Sequence, residues 1–381
     1  MPRCGQAAQS RQFSGSDFNE KRQGRKGMAY KHESVERLVK AIFAHAGSDD
    51  REASIIARHL VEANLVGHDS HGVIRVPSYI DWMGKGQVVA NQHASVVFEN
   101  DAIAVIDGNF GFGQVVGEEA MEIGIAKAKK SGVAVTALRN AGHIGRIGDW
   151  ALMATDQKLI SVHWVNTSGA GILVAPFGGS DRRLSANPMA AGIPVDGGEP
   201  IVMDLSTCVI AEGKIKVALN KGVEVPENAI IDGHGNPTRD PNAFYADPVG
   251  AILPIAGHKG YALSVVCEVL AGALSGGHCS HPDNPNAKGV TNGMFTLLLD
   301  PAKFVGGSAY AEEMERFVKW VKASPPITPG GEILMPGDPE SRTKADRLAN
   351  GLPLDDKTWN QLLDTAGQVG LSQAEIMELV A

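Results

Sequence analysis

From Val116 to Val165 the hydrophobic period switches back and forth between helix and strand. Val116 to Ser131 has helical spacing, Val133 to Leu138 reads as a strand, Asp149 to Gln157 as a helix and Leu159 to Val165 as a second strand. A chain patterned this way must lay helices against a sheet, so the expected fold class is α/β (or α+β). Between the first strand and the second helix lies N-A-G-H-I-G-R-I-G, residues 140–148, a polar glycine-rich turn. Ligands of α/β sheets tend to bind at such strand ends.

The chain has 381 residues, enough for a large core and two lobes. Hydrophobic residues make up 43% of it and the formal net charge is -8, the balance of a soluble globular enzyme. An acidic surface argues against nucleic acid or an anionic membrane as partner. No stretch approaches the roughly 18 uninterrupted apolar residues of a membrane span. Cys4, Cys208, Cys267 and Cys279 lie far apart, which fits a reducing, cytoplasmic setting and offers no disulfide framework. Residues 1–27 carry basic residues among Ser, Gln and Gly without an apolar run, and read as a disordered extension before a start at Met28.

After that extension, Val35, Leu38, Val39, Ile42 and Phe43 recur at helical spacing, and Asp49 caps a second helix striped by Ile55, Ile56, Leu60 and Leu65. The two helices lead into G-H-D-S-H-G-V-I-R-V-P-S-Y, residues 67–79. Ser70 and His71 donate and accept protons, Arg75 offers a planar fork for a carboxylate, and Pro77 is expected to stop the helix. Arg75 is read equally as a surface ion pair or a carboxylate clamp. His71 and His143 stand in glycine-flanked polar turns, where a catalytic and a structural reading weigh evenly. His163, inside a strand, and His234, in a turn, read as hydrogen-bonded structural residues.

Two glycine-rich segments fail the dinucleotide pattern G-x-G-x-x-G. G-N-F-G-F-G-Q at 108–114 reads as a turn, and G-A-G at 169–171 is followed by V-A-P-F-G-G where a helix would have to open. Any nicotinamide cofactor is therefore bound without the Rossmann motif. A strand over 200–205 closes in D-L-S-T, with Asp204, Ser206 and Thr207 at a turn. G-H-K-G-Y at 257–261 opens a helix through Ser275 that is apolar nearly all round and is expected to be central. His258 and Lys259 in its first turn gain nothing from the helix dipole, so an anionic ligand explains them better than folding does. H-C-S-H at 278–281 lacks matching ligands at metal spacing, and no metal site is expected. An amphipathic helix over 309–322, a Pro/Gly-rich loop over 325–340 and two more helices, the last with a Ser372/Glu375 capping box, finish the chain.

Several of these segments together resemble one family. H-D-S-H-G with P-S-Y, A-G-H-I-G-R-I-G, V-A-P-F-G-G with S-A-N-P, D-L-S-T, H-K-G-Y-A-L with C-E-V-L-A-G-A-L-S-G-G, and M-P-G-D-P-E look like the malate/L-lactate dehydrogenase family that is distinct from the Rossmann lactate dehydrogenases. The likeness is strongest to its hydroxycarboxylate dehydrogenase B branch. It implies hydride transfer between NAD or NADP and a 2-oxo or 2-hydroxy acid in a homodimer, with a histidine as proton donor. Cyclic imine 2-carboxylates are the alternative substrates, and a non-redox histidine-dependent lyase or hydrolase is the rival from another class.

The resemblance also assigns residues. It makes His71 or His143 the proton donor and gives Ser70, Arg75 and Tyr79 to the substrate. To the cofactor it gives His71, Gly145, Arg146, Ile147, Val202, Met203, Asp204, Leu205, Ser206, His258, Lys259, Asn292, Gly337, Asp338, Pro339 and Glu340. The implied domains are a largely helical one from 28–115 and 305–381, for substrate and dimerisation, and a non-Rossmann cofactor-binding α/β domain over 116–304.

Overall fold

The computed structural model describes residues 28–169, 171–285 and 289–381, so the expectation about residues 1–27 lies outside it. Its centre is a seven-stranded mixed sheet in the order Ser95–Glu99, Ile103–Asp107, Val133–Ala141, Val290–Leu299, Ile160–Gly169, Met189–Ile193, Ile201–Leu205. The second and third of these run parallel and the other neighbours antiparallel. Alternation along Val290–Leu299 places Met294 and Leu298 in the core below the sheet, with Val116, Ala120 and Met121 of the helix Gly113–Ser131 and Trp150 of Gly148–Thr155. Gly124 lets that long helix approach, since a Cβ there would stand 2.6 Å from Leu298 Cδ1.

A second core is helical. His32–His45 buries Val35, Leu38, Val39, Ile42 and Phe43 against Asp50–Leu65, whose first turn is capped by Asp49 accepting from Glu52 N at 2.8 Å. Leu352, Leu354, Leu362 and Ile376 from the other end of the chain complete this cluster, so the two termini build one body. The strands Ser95–Glu99 and Ile103–Asp107 lie in the 28–115 segment yet pair into the large sheet. A third cluster around Ile215, Ile230, Phe244 and Ile252 sits under a small three-stranded sheet.

Three expectations are corrected. Pro77 opens the helix Val76–Gly84 in its first turn, where a missing N–H costs nothing, instead of stopping one. The apolar helix at His258–Cys267, continued as a π-helix over Glu268–Leu274, is not central in the single chain: Leu263, Val266, Val269 and Leu274 are exposed. Its all-round apolarity comes from one face on the sheet and one left bare. The loop after Gly307–Lys322 ends at Gly337, and three helices follow it, Asp338–Asn350, Asp356–Gln368 and Gln373–Val380; the Ser372/Glu375 capping box is present. Among the described residues no helix is long and apolar enough to cross a membrane, and no cluster of metal-ligating side chains is found.

Candidate active site

The H-D-S-H-G turn is held from below by Asn64. Its Oδ1 accepts from Val73 N at 2.8 Å, and its Nδ2 donates to Asp69 Oδ1 at 2.8 Å. A Cβ on Gly72 would fall 2.1 Å from Asn64 Oδ1, so only glycine fits there. Arg347, from the far end of the chain, pairs with Asp69 at 2.6 Å and closes the brace. The 140–148 turn is pinned in a matching way. Gly142 N donates to Gly111 O at 2.9 Å, and Ile144 N donates to Asn292 Oδ1 at 3.0 Å.

These two turns bring His71 and His143 into a parallel ring stack, 5.4 Å between centroids and 2° from coplanar. Tyr79 Oη lies 2.6 Å from His143 Nδ1 and accepts from Gln114 Nε2 at 2.9 Å. His143 Nε2 makes no hydrogen bond among the described residues. His71 Nδ1 is buried with no hydrogen-bond partner, so the stack on His143 and not a hydrogen bond at that nitrogen sets the ring. Burial, with Arg75 and His68 adding to it, pushes His71 down to about 3. Burial also holds His143 well below its ordinary range, with Arg75 and His71 contributing. Tyr79 is pushed up to about 12, chiefly by burial, and stays a phenol.

Arg75 donates from Nε to Ser70 O at 2.7 Å and has no carboxylate partner among the described residues. Ser70 is exposed, and its hydroxyl makes no hydrogen bond among the described residues. His163 has the structural role expected of it, bonded to Thr296 Oγ1 at 3.0 Å and Ser161 Oγ at 2.9 Å.

The residues assigned to a cofactor by resemblance fall into two groups. Three segments converge: Arg146, Val202, Gly337 and Glu340 line one cavity of about 200 Å³ with Pro200 and Lys344. Val202 N donates to Pro336 O at 2.9 Å, and Gly148 N to Asp204 Oδ2 at 2.9 Å. Met203 and Leu205 follow on the strand Ile201–Leu205, and Ser206 donates to Ala186 O just beyond it. Asp338 and Pro339 lie in the first turn of the next helix, Asp338 paired with Lys322 at 2.9 Å. Gly145, at φ 73°, sits beside Gln114.

Other assigned residues do not face this cavity. Ile147 packs into the sheet core. Asn292 is buried and holds the His143 turn, its Nδ2 donating to Asn166 O and Thr167 Oγ1. His258 and Lys259 are exposed at their helix start, His258 against the Phe177 ring, and no described contact ties them to the histidine pair.

The cavity, at about 200 Å³, is smaller than the roughly 300–1,000 Å³ of a typical ligand pocket, but its lining carries groups that suit part of a nucleotide. Gly337 leaves a cradle that a Cβ would narrow to 3.2 Å from Val202 N, Glu340 supplies an acceptor for hydroxyls, and Arg146 Nε is buried without a hydrogen bond. Sequence reasoning did not single out Gln114, His59 or Asp149. The only signal for Gln114 was its place at the end of a glycine-rich turn that opens a helix. His59 stands between Asp149 Oδ2 at 3.3 Å and Glu118 Oε2 at 3.5 Å, and Asp149 Oδ1 accepts from Arg146 at 2.7 Å.

Known proteins are similar to this chain in sequence and fold. The family model for malate/L-lactate dehydrogenase matches residues 30–363. Hydroxycarboxylate dehydrogenase B of Escherichia coli (strain K12) is 40% identical over 351 residues, 91% of this chain and 96% of that protein. The solved sulfolactate dehydrogenase of Methanocaldococcus jannaschii superposes with a TM-score of 0.82 at 34% identity, covering 92% of this chain and 99% of that one. The Δ1-piperideine-2-carboxylate reductase of Pseudomonas syringae superposes with a TM-score of 0.79 at 30% identity, covering 89% and 100%. A family model that spans most of the chain, and relatives at this identity over nine-tenths of it, show that the chain belongs to the malate/L-lactate dehydrogenase family, oxidoreductases acting on CH–OH donors.

Proposed function

We propose that this protein interconverts a 2-oxo acid and its 2-hydroxy acid, with His143 as the proton donor and acceptor. The observation that carries the assignment is the 2.6 Å contact between Tyr79 Oη and His143 Nδ1, which His71 lacks. A catalytic ring needs an orienting partner on one nitrogen so that the other faces the reacting atom. A nicotinamide nucleotide, NAD or NADP, supplies or takes the hydride when bound. Residues 145–147, 202–206 and 337–340 are proposed to hold it, with His258, Lys259 and Asn292 as outlying members of that set.

Arg75 receives the substrate carboxylate in its planar fork, with Ser70 beside it. As charge develops on the carbonyl oxygen, His143 Nε2 gives up its proton to that oxygen, and in the oxidising direction takes it back. His71 closes the other side of the stack and excludes water. A carboxylate on Arg75 also cancels the positive charge that holds both histidines down, so substrate itself makes His143 easier to protonate.

The bare apolar face over Leu263, Val266, Val269 and Leu274, with Trp320 80% exposed on the helix Gly307–Lys322, supports a homodimer in which a second copy covers it. The free Cys208, Cys267 and Cys279 support a cytoplasmic setting.

The test is loss of nicotinamide absorbance on mixing the protein with NADH or NADPH and oxaloacetate, pyruvate, sulfopyruvate, phenylpyruvate or Δ1-piperideine-2-carboxylate. Oxidation with a 2-oxo acid is expected. Turnover confined to the cyclic imine would replace this reading with an imine reductase. His143→Ala should lower kcat about 10²–10⁴-fold, the usual contribution of general acid–base catalysis, while leaving the nucleotide Kd unchanged. Full kcat in that variant removes His143 from the chemistry.

A further inference from the structure

The G-N-F-G-F-G-Q segment, which matches no nucleotide motif, has a different use in the fold. A Cβ on Gly113 would lie 2.4 Å from both Gly142 O and His143 O, so the glycine lets two backbones touch. That contact sets the next residue, Gln114, against the catalytic turn. Gln114 is fully buried, its Nε2 donates to Tyr79 Oη, and its Oε1 is buried with no partner.

A phenol has one proton to give, and here it sits between two nitrogens. An amide NH₂ only donates, so Tyr79 accepts from Gln114 and its single proton points to His143 Nδ1. The ring proton of neutral His143 is then on Nε2. Turned end for end, the same amide presents Oε1, which accepts a hydrogen bond from the phenol O–H, and leaves Tyr79 Oη to accept from His143 Nδ1–H. This second arrangement serves the protonated ring and the neutral ring whose Nε2 is free to act as a base. Turning over leaves Nε2 without its bond to Tyr79 in place of Oε1, so the count of unpaired ends is unchanged.

We propose that Gln114 is a positioning residue for proton transfer: its amide sets the direction of the Tyr79–His143 hydrogen bond and with it the nitrogen of His143 that carries the proton. The inference rests on the reading of His143 as the proton donor. In reduction, the Nε2–H bond of protonated His143 breaks and an O–H bond forms on the substrate oxygen. The ring becomes neutral with its remaining proton on Nδ1, held through Tyr79 by Gln114 Oε1, and solvent reprotonates Nε2 for the next cycle. Tyr79 and Gln114 end each step uncharged.

The experiment uses the full chain labelled with ¹⁵N-histidine. Ring nitrogen shifts of the ligand-free wild type at pH 8, assigned by loss of signal in His143→Ala, should show His143 protonated at Nε2. Gln114→Glu offers only an acceptor when ionised, so it should move that proton to Nδ1. The same variant should shift the pH midpoint of kcat/KM for 2-hydroxy acid oxidation upward by about one unit or more, because an added negative charge favours the imidazolium. Gln114→Met removes both ends of the amide, and it should lower kcat about 10-fold or more without altering the NADH Kd. Ring shifts and pH midpoints identical to wild type in both variants overturn the inference, even where His143→Ala abolishes turnover. If Gln114→Glu fails to fold, wild-type ring shifts and kcat in Gln114→Met overturn it alone. Altered ring shifts alongside full turnover in His143→Ala uphold the link from Gln114 to the ring and overturn the proton-donor reading instead.

Discussion

Residues 143–149 separate two buried polar systems built on opposite rules. On one side, His71, His143 and Tyr79 are all held in their neutral forms by burial, beside a guanidinium, Arg75, with no counter-charge among the described residues. On the other, the charges stand in a chain of opposite-sign contacts, although burial still raises Asp204 and neither Arg146 Nε nor His59 Nε2 makes a hydrogen bond. Glu118 is held down at about 2, first by its hydrogen bond from His59, while Asp149 stands between His59 and Arg146, and Asp204 lies 3.6 Å from Arg146 Nε. His68 continues the chain to Glu340 at 3.4 Å. Arg75 is only half-buried, and its guanidinium, with no carboxylate partner among the described residues, is open to a ligand carboxylate. The paired side braces the turn on which His143 is carried, and through Arg146, Asp204 and Glu340 it also borders the segments proposed to hold the nucleotide.

If that contrast is right, the two sides should fail differently when broken. The largest effect is expected on the open side. Arg75→Met should lower kcat/KM for 2-oxo acids about 10²–10³-fold, the loss typical when one partner of a buried charge pair is truncated, while thermal stability changes little. The same variant should raise the pH at which His143 titrates, since Arg75 is a named cause of its depression. Undiminished kcat/KM would show that the carboxylate binds elsewhere.

The paired side should show the reverse. Asp149→Asn leaves Arg146 with only the 3.6 Å contact to Asp204 and takes from His59 its buried counter-charge. Breaking a buried pair from one end costs about 3–5 kcal/mol, and urea denaturation would read it. A stability within about 1 kcal/mol of wild type would mean that water already screens this network.

How much of this was readable beforehand follows the same division. Local patterns were legible because a single segment decides them. Such were the apolar stripe of His32–His45, the Asp49 cap, the capping box at Ser372 and the strand–turn–helix around Val133–Thr155. His71 and His143 could be singled out because they stand in glycine-flanked polar turns, whereas Arg75 was left between two readings and Tyr79 entered by the family resemblance. The brace was not, because its members come from distant segments: Arg347 reaches Asp69, Asn292 reaches Ile144 N, and His59 on one helix meets Asp149 on another. Nor does a sequence tell an apolar helix in a core from one with a bare face. Period and composition are the same for both, which is how the helix at His258–Cys267 came to be expected at the centre.

The smallest and most specific test uses two histidines whose shifts have opposite signs. His163, buried between Ser161 and Thr296, is lowered from 6.5 to about 3 by burial. Between those values the unfolded chain binds a proton that the folded chain refuses. His163 therefore contributes full stability above pH 6.5, lost as pH falls toward 3. His59 is raised instead: burial lowers it, but the hydrogen bonds to Asp149 and Glu118 outweigh both burial and the opposing charge of Arg58. Its contribution is full below pH 6.5 and fades as pH rises through its folded value. Tm measured from pH 9 to pH 4 should fall less steeply below pH 6.5 in His163→Gln than in wild type. In His59→Gln the deficit relative to wild type should be larger at pH 6 than at pH 9, since only there is a full cation missing from between two carboxylates. Parallel Tm curves for all three proteins would mean that neither histidine differs in protonation between the folded and unfolded chain, and the contrast between an uncompensated and a compensated interior would lose its electrostatic basis.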